Sequence, residues 1–382
     1  MLGKALTVVG TIALARHFDP AVFGEVVLFM TLVALVSGVA DAGLAQWYQM
    51  EAPRVGRWAA LRGALWARGA TFGVSIVLLA PVALLGNFFS GSLAALLLLA
   101  LVPEAVLSLL EGYYLERGKP LIASARSAGK MAVVLLGLLA LGEDFSVDDF
   151  AQCFLVGSLL GALALFPWSE IGEIRRQALP NVGATLRAAA PYGVLSVSAL
   201  AYTRGDSLVV RFALGSGALG FYGVAYRILE SLGTLPAVIA LNLFAILASS
   251  KAVQRSHIWT IMSFMGGIGA LLAILLFFAS GPLIDLVFGL EYAPAIVPLQ
   301  IFSGVLFMNF VNAPLSALVQ ASHSVRPFTP FAVLNTLANI GLNIVFVPLY
   351  GIEAAAWIML GSEATGFVLG LYFARRRLFG GS

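Results

Sequence analysis

Apolar residues run through this chain in long blocks. Leu93–Val102, Ile268–Ala279 and Val333–Leu349 are three of them, and each lies in a stretch approaching the roughly 20 residues that cross a hydrocarbon layer as a helix. A membrane β-barrel would alternate apolar and polar residues in segments of about ten, whereas these blocks are apolar on every side. The pattern predicts helices over residues 1–17, 21–48, 58–85, 91–116, 120–142, 149–168, 187–213, 218–249, 257–280, 294–321, 328–348 and 352–374. Pro20, Pro53, Pro120 and Pro327 fall near helix starts or in connections. Pro81, Pro103, Pro191, Pro236 and Pro314 fall inside helices, which a membrane protein tolerates because neighbouring groups re-satisfy the freed carbonyl.

The polar positions orient these helices. With the amino terminus in the cytoplasm, the inward ends and loops hold Lys4, Arg54, Arg57, Arg62, Arg117, Lys119, Arg126, Arg175, Arg176, Arg187, Lys251, Arg255, Arg326, Arg375, Arg376 and Arg377, sixteen of the 22 Lys and Arg. The outward loops near 86–91, 143–148, 214–217, 281–293 and 349–351 hold none, and Glu143, Asp144, Asp148 and Asp149 make one of them acidic. That asymmetry is the positive-inside pattern. It predicts two cytoplasmic termini and an even number of spans.

The longest charged connection, Ser169–Arg187, divides the chain near its middle. It predicts an N-terminal six-helix lobe over 1–168, a cytoplasmic linker over 169–186 and a C-terminal six-helix lobe over 187–382. A weak internal repeat supports the division: FDPAVFGEV (Phe18–Val26) has a counterpart in GSGALGFYGVA (Gly215–Ala225), and RGKPLIA (Arg117–Ala123) in SVRPFTP (Ser324–Pro330). Both pairs have the same sense along the chain, as in transporters built from two parallel halves.

Composition agrees with a membrane class. The chain is 60% hydrophobic and 11% charged, against roughly 45–50% and about 25% in soluble domains. The net charge of +3 does not point to nucleic acid, because the basic residues sit in short loops between apolar segments. A single cysteine, Cys153, excludes an internal disulfide, and His17, His257 and His323 are too scattered for metal ligation. No cofactor, metal or catalytic residue is expected. The first apolar stretch runs into Arg16-His17 without a small-residue cleavage site, so no cleavable signal peptide is expected.

The opening GKALTVVGTIALARHFDPAVFGEVVLFMTLVALVSGVADAGLAQ (Gly3–Gln46) resembles the first two helices of the bacterial polysaccharide and O-antigen flippases. That superfamily also contains multidrug-and-toxin extruders and the lipid II flippase. GDSLVVRFALGSGALGFYGVAYRILESLGTLP (Gly205–Pro236) is similar to its seventh and eighth helices, and FGLEYAPAIVPLQI (Phe288–Ile301) to its approach to helix ten. SALVQASHSVRP followed by LNTLANIGLNIVFVPLYGIEAAA is similar to its helices ten to twelve. The resemblance covers nearly the whole chain and implies two bundles that rock about a central cavity, exposing it to each side in turn. The polyprenyl tail of the substrate would stay in lipid while a sugar-pyrophosphate head crosses through the cavity. Met1 to Arg16 reaches only about 24 Å as a helix, short of a core near 30 Å, and the family's usual lead is longer, so the sequence is expected to begin late.

Ionisable residues inside membrane helices are costly, and each is a functional candidate. Glu104 with Lys130, and Glu111 with Arg126, fall at matching depths on the fourth and fifth helices; they predict a structural ion-pair ladder, with cavity lining as the alternative. Arg204, Asp206, Arg227 and Glu230 lie at comparable depths on the seventh and eighth helices, and Arg204 and Arg211, seven apart, share a helix face. Guanidinium forks suit a phosphate, so Arg204, Arg211 and Arg227 are candidate substrate contacts, with pairing to Asp206 or Glu230 as the alternative. Asp41 and Arg68, together with Asp206 and Glu230, are candidates for gating or ion coupling. Asn335, Asn339 and Asn343 recur every four residues, with Asn309 and Asn312 at matching depth; this stripe serves either interhelical bonding or a sugar-facing wall. Tyr222, Tyr226 and Tyr292 are expected as interfacial anchors.

These readings predict an all-α integral membrane protein of about twelve transmembrane helices in two six-helix lobes around a central cavity. Its expected work is moving a polyprenyl-linked glycan across a bacterial inner membrane without covalent chemistry. The expected partners are that substrate, membrane lipid, and glycosyltransferases or a polymerase of the same pathway. A cation-coupled multidrug exporter of the same superfamily is the nearest rival. A membrane-embedded polysaccharide polymerase or ligase is disfavoured by the short outward loops.

Overall fold

The computed structural model of the protein describes residues 2–85, 89–178, 181–240, 255–321 and 329–379. Among these residues the chain is helical with no strand. The helices are α1 (Leu2–His17), α2 (Pro20–Asp41), α3 (Leu44–Val55), α4 (Arg57–Leu85), α5 (Gly91–Glu116), α6 (Pro120–Leu141) and α7 (Val147–Leu165). They continue as α8 (Ile171–Arg176), α9 (Val182–Leu214), α10 (Ser216–Leu232), α11 (residues 234–240), α12 (Arg255–Val287), α13 (Ile296–Ala321), α14 (Thr329–Tyr350) and α15 (Ile352–Phe379). Among the described residues, α1, α2, α4 to α7, α9, α10 and α12 to α15 each have 16 residues or more. Among the described residues, eight spans are long and apolar enough to cross a membrane. Large apolar side chains point away from the protein along several of them, Leu139 on α6 at 80%, Phe278 and Leu286 on α12 at 76% and Val368 on α15 at 63%. Water does not tolerate apolar surface on that scale; lipid does. The protein is a multi-pass, all-α membrane protein.

Two compact units partition the chain. Unit 1 comprises Met1–His17 and Glu25–Arg204, and unit 2 comprises Phe18–Gly24 and Gly205–Ser382. In unit 1, α7 packs on α5 and α6, α1 on α6, and α3 on α4 and α5. In unit 2, α13 is central and packs on α10, α12 and α15, with α14 on α15.

Local chemistry explains several helix starts. Ser146 and Asp149 form a reciprocal capping box at the start of α7, Ser90 caps α5, and Pro120 occupies the first turn of α6. All five prolines placed in helix interiors lie inside described helices. Several boundaries differ from the pattern: α12 runs on to Val287 and α15 to Phe379, past the predicted ends at 280 and 374. The predicted helix 21–48 breaks after Asp41, because Ala42 (φ 47°) and Gly43 (φ 77°) are left-handed, and α3 then carries the chain to Val55. The charged connection after residue 168 contains α8, and α9 begins at Val182 rather than near 187. The predicted helix 218–249 is interrupted at Gly233 and is described to residue 240. Lys251, Arg326 and most of the Ser324–Pro330 repeat lie outside the described residues, as do the side chains of Lys4, Arg126, Arg255 and Arg375 to Arg377.

The repeat-related segments at Phe18–Val26 and Gly215–Ala225 meet through glycines within unit 2. A β-carbon at Gly24 would lie 1.9 Å from the Ser216 carbonyl oxygen, and one at Gly220 would lie 2.0 Å from that of Pro20. Both obstacles are backbone and cannot rotate away. Gly24→Ala and Gly220→Ala are each expected to destabilise the protein by about 1–3 kcal/mol, read as a lower thermal midpoint of the purified chain. Gly217→Ala, which meets nothing within 4 Å, is the matched control; equal midpoints for all three would contradict the contact.

Candidate functional site

The break between α2 and α3 sets an enclosed charge pair in unit 1. A β-carbon on Gly43 would lie 2.2 Å from the Gly193 backbone nitrogen on α9, so glycine is required both for the close approach and for the positive φ. At the break, Asp41 Oδ2 accepts from the Ala45 N–H at 3.3 Å, satisfying one donor of the α3 amino terminus. Asp41 Oδ1 lies 2.9 Å from Arg68 Nη1 on α4. Arg68 also donates from Nε to the Ala105 carbonyl at 3.2 Å, and from Nη2 to the Ser37 carbonyl at 3.0 Å and Ser108 Oγ at 2.6 Å. With Arg68 only 4% exposed, its fork ties α2, α4 and α5 together, and charge-assisted bonds offset its desolvation.

A second enclosed pair lies in the same unit. Lys130 Nζ on α6 is 2.6 Å from Glu104 Oε1 on α5, which also accepts from Ser158 Oγ on α7 at 2.8 Å. The ammonium sits 4.8 Å from the Phe154 ring centre, a cation–π contact that further stabilises the buried charge. Three helices thus share one carboxylate. Glu111 is half-buried, and its proposed partner Arg126 falls outside the described side chains.

In unit 2, Asp206 on α9 is 2% exposed. Its Oδ1 accepts from the Ser207 N–H at 2.6 Å, and its Oδ2 accepts from the Tyr222 hydroxyl on α10. Arg227 Nη1 pairs at 2.8 Å with Glu230 Oε2, three residues along α10. Arg211 is half-buried, and among the described residues its enclosed Nε has no hydrogen-bond partner. Arg204, the last residue of unit 1, is half-buried.

The asparagine stripe faces inward over part of its length. Asn339 donates to Ser362 Oγ on α15 at 2.9 Å, and Asn343 donates to the Asn339 carbonyl at 2.8 Å and its Oδ1 at 3.1 Å. Asn335 is half-buried. Asn312 on α13 donates to Glu363 Oε2 at 2.8 Å. Among the described residues the buried Oδ1 atoms of Asn312 and Asn343 retain unused acceptor capacity.

The tyrosines correct the sequence reading. Tyr222, Tyr226 and Tyr292 are 0%, 6% and 1% exposed, so they are core residues and not interfacial anchors. Tyr222 and Tyr226 stack on each other and meet Phe302 edge-on, while the Tyr292 hydroxyl donates to the Phe18 carbonyl at 3.1 Å. A buried hydroxyl needs such a partner, and that of Tyr222 is the buried acid itself. A further cluster, not anticipated from the sequence, joins the end of α5 to the connection before α8. Arg57 forks onto Glu116, Arg117 reaches Glu170 at 2.8 Å, and the Tyr113 hydroxyl donates to the same carboxylate. The Arg117 guanidinium lies over the Tyr113 and Trp58 rings at 4.5 and 5.3 Å. Spacing alone did not reveal it because Glu170 is 53 residues from Arg117.

Solved structures share this fold along almost the whole chain. "Lipid II flippase MurJ, inward closed conformation" superposes with a TM-score of 0.78 at 16% identity, over 98% of this chain and 86% of that one. An inward-facing multidrug resistance MATE family transporter of the MOP superfamily gives 0.72 at 12% identity, over 98% and 94%. An outward-facing MATE family transporter gives 0.61 at 14% identity, over 99% and 93%. No family model matches the chain, and no curated protein matches it. At these identities the likeness establishes the fold.

Proposed function

We propose that this protein is a flippase that carries a polyprenyl-pyrophosphate-linked oligosaccharide across a bacterial inner membrane by alternating access. The observation that carries this reading is the fold shared with the lipid II flippase along 98% of the chain, and the opening Gly3–Gln46 block supports the sugar-lipid branch. Both termini and the 169–186 linker face the cytoplasm in this reading, with lobes over 1–168 and 187–382. Arg204, Arg211 and Arg227 are each candidate contacts for the pyrophosphate, and the enclosed Nε of Arg211 is a donor a phosphate oxygen would satisfy. Asn335, Asn339 and Asn343 offer amide groups to the sugar. The Asp41–Arg68 pair, Asp206 and Glu230 serve gating or ion coupling, while Glu104 with Lys130, and Glu111 with Arg126, brace the first lobe. Glycosyltransferases or a polymerase of the same pathway supply and consume the substrate.

The buried Asp206 and the likeness to MATE transporters favour a second reading, cation-coupled export of amphipathic drugs. Depletion in cells separates the two. The flippase reading predicts loss of surface glycan and build-up of its lipid-linked precursor, with unchanged sensitivity to lipophilic cations. Intact surface glycan with raised cation sensitivity would overturn it in favour of the exporter.

A further inference from the structure

An apolar groove of about 450 Å³ opens on unit 1, lined by Leu65, Trp66, Gly69 and Ala70 of α4 and Val182 of α9. That volume is within the roughly 300–1,000 Å³ of small-ligand sites. Trp66, Gly69 and Ala70 are exposed, and a β-carbon on Gly69 would meet nothing within 4 Å. Arg62 precedes Leu65 by three residues and Trp66 by four, so it lies one turn below them on the same stripe of α4.

One end of the groove is basic. Arg62 Nη1 donates to the Arg175 carbonyl at 2.8 Å and to that of Gln177, which draws the exposed Arg175 and Arg176 at the end of α8 to this stripe. Buried Ile174 anchors α8 in the same apolar cluster as Leu61 and Ala64, against which Leu65 and Val182 pack. Arg187 Nε donates to the Gly183 carbonyl at 3.2 Å, which holds its guanidinium beside the first turn of α9, the turn that Val182 opens. Glu173 offsets Arg176 at 3.1 Å, and the cluster remains net positive.

We infer that this groove seats one acyl chain of an anionic glycerophospholipid, with the phosphate at Arg62, Arg175 and Arg187. The apolar walls receive the chain, and the guanidinium forks match phosphate oxygens. Several cations beside one headgroup favour a lipid of net negative charge over a zwitterionic one. The inference is independent of what the protein transports.

Native mass spectrometry of the full chain tests it, using mixed micelles of phosphatidylglycerol and phosphatidylcholine with identical acyl chains. The wild type is expected to retain one phosphatidylglycerol in preference to phosphatidylcholine. Gly69→Leu and Ala70→Leu fill open space on an exposed helix face; both are expected to keep the wild-type elution profile and helicity and to abolish that retention. The double variant Arg175→Gln with Arg187→Gln is expected to lower the preference by roughly fivefold per lost charge. Equal retention of both lipids by the wild type would overturn the inference. So would unchanged retention in the groove-filled variants, or displacement of the phospholipid by an added polyprenyl phosphate.

Discussion

Arg68→Met is expected to remove most of the folded protein from the membrane. The substitution leaves Asp41 beside a helix break without its guanidinium partner, and deleting one member of a buried pair costs about 3–5 kcal/mol, a large part of the roughly 5–15 kcal/mol that holds a typical domain together. The Ser37 and Ala105 carbonyls and Ser108 lose a donor at the same time. Arg68→Lys is expected to fall between, because an ammonium keeps the charge but cannot fork to α2 and α5 together. Adding Asp41→Asn to Arg68→Met removes the stranded charge and is expected to recover much of the abundance. Folded yield by fluorescence-detected size exclusion checks the series. If the double variant recovers abundance and transport alike, the pair is a brace; if abundance returns without transport, the pair belongs to the gate.

The second large effect concerns transport per folded molecule. Arg211→Ala is expected to lower it by roughly one to two orders of magnitude, since a hydrogen bond to a charged group contributes about 1.5–3 kcal/mol and an apolar surround offers no water as substitute. Abundance should hold, because Arg211 is only half-buried and its Nε has no described partner to strand. Arg204→Ala and Arg227→Ala are expected to act in the same direction. The Glu230 carboxylate left by the latter is 39% exposed and so is not enclosed by the protein. Lysine at each position should rescue in part. Normal transport in all three alanine variants would remove the arginines from the substrate path and leave Asn339 and Asn343 as the next candidates.

The helices were legible because the bilayer imposes a length on every apolar block, and the interior prolines did not hide them. The proximity of Asp41 to Arg68, and of Glu104 to Lys130, follows from depth: in antiparallel neighbours, residues equally far from one face meet. The break at Ala42–Gly43 was not legible, because it depends on a backbone approach to Gly193 about 150 residues away, and an alanine at positive φ leaves no mark in composition. Nor was the bond from Tyr222 to Asp206. Sequence depth offered arginines for Asp206 and Glu230, and Arg227 does pair with Glu230, but that a tyrosine near a helix start turns inward to bond the buried carboxylate was not foreseen. Hydrogen-bonding demand inside an apolar core made that choice, and hydropathy does not report it.

Passage of the proposed substrate between leaflets is followed with the purified protein in vesicles that carry a polyprenyl-pyrophosphate oligosaccharide, the inner-leaflet pool being read by a membrane-impermeant glycosidase added outside. The protected pool is expected to become accessible with the wild-type protein and to stay protected with Arg211→Ala at equal folded amount. A pool that stays protected with the wild type, in vesicles where the same protein drives efflux of a lipophilic cation, would contradict the flippase reading.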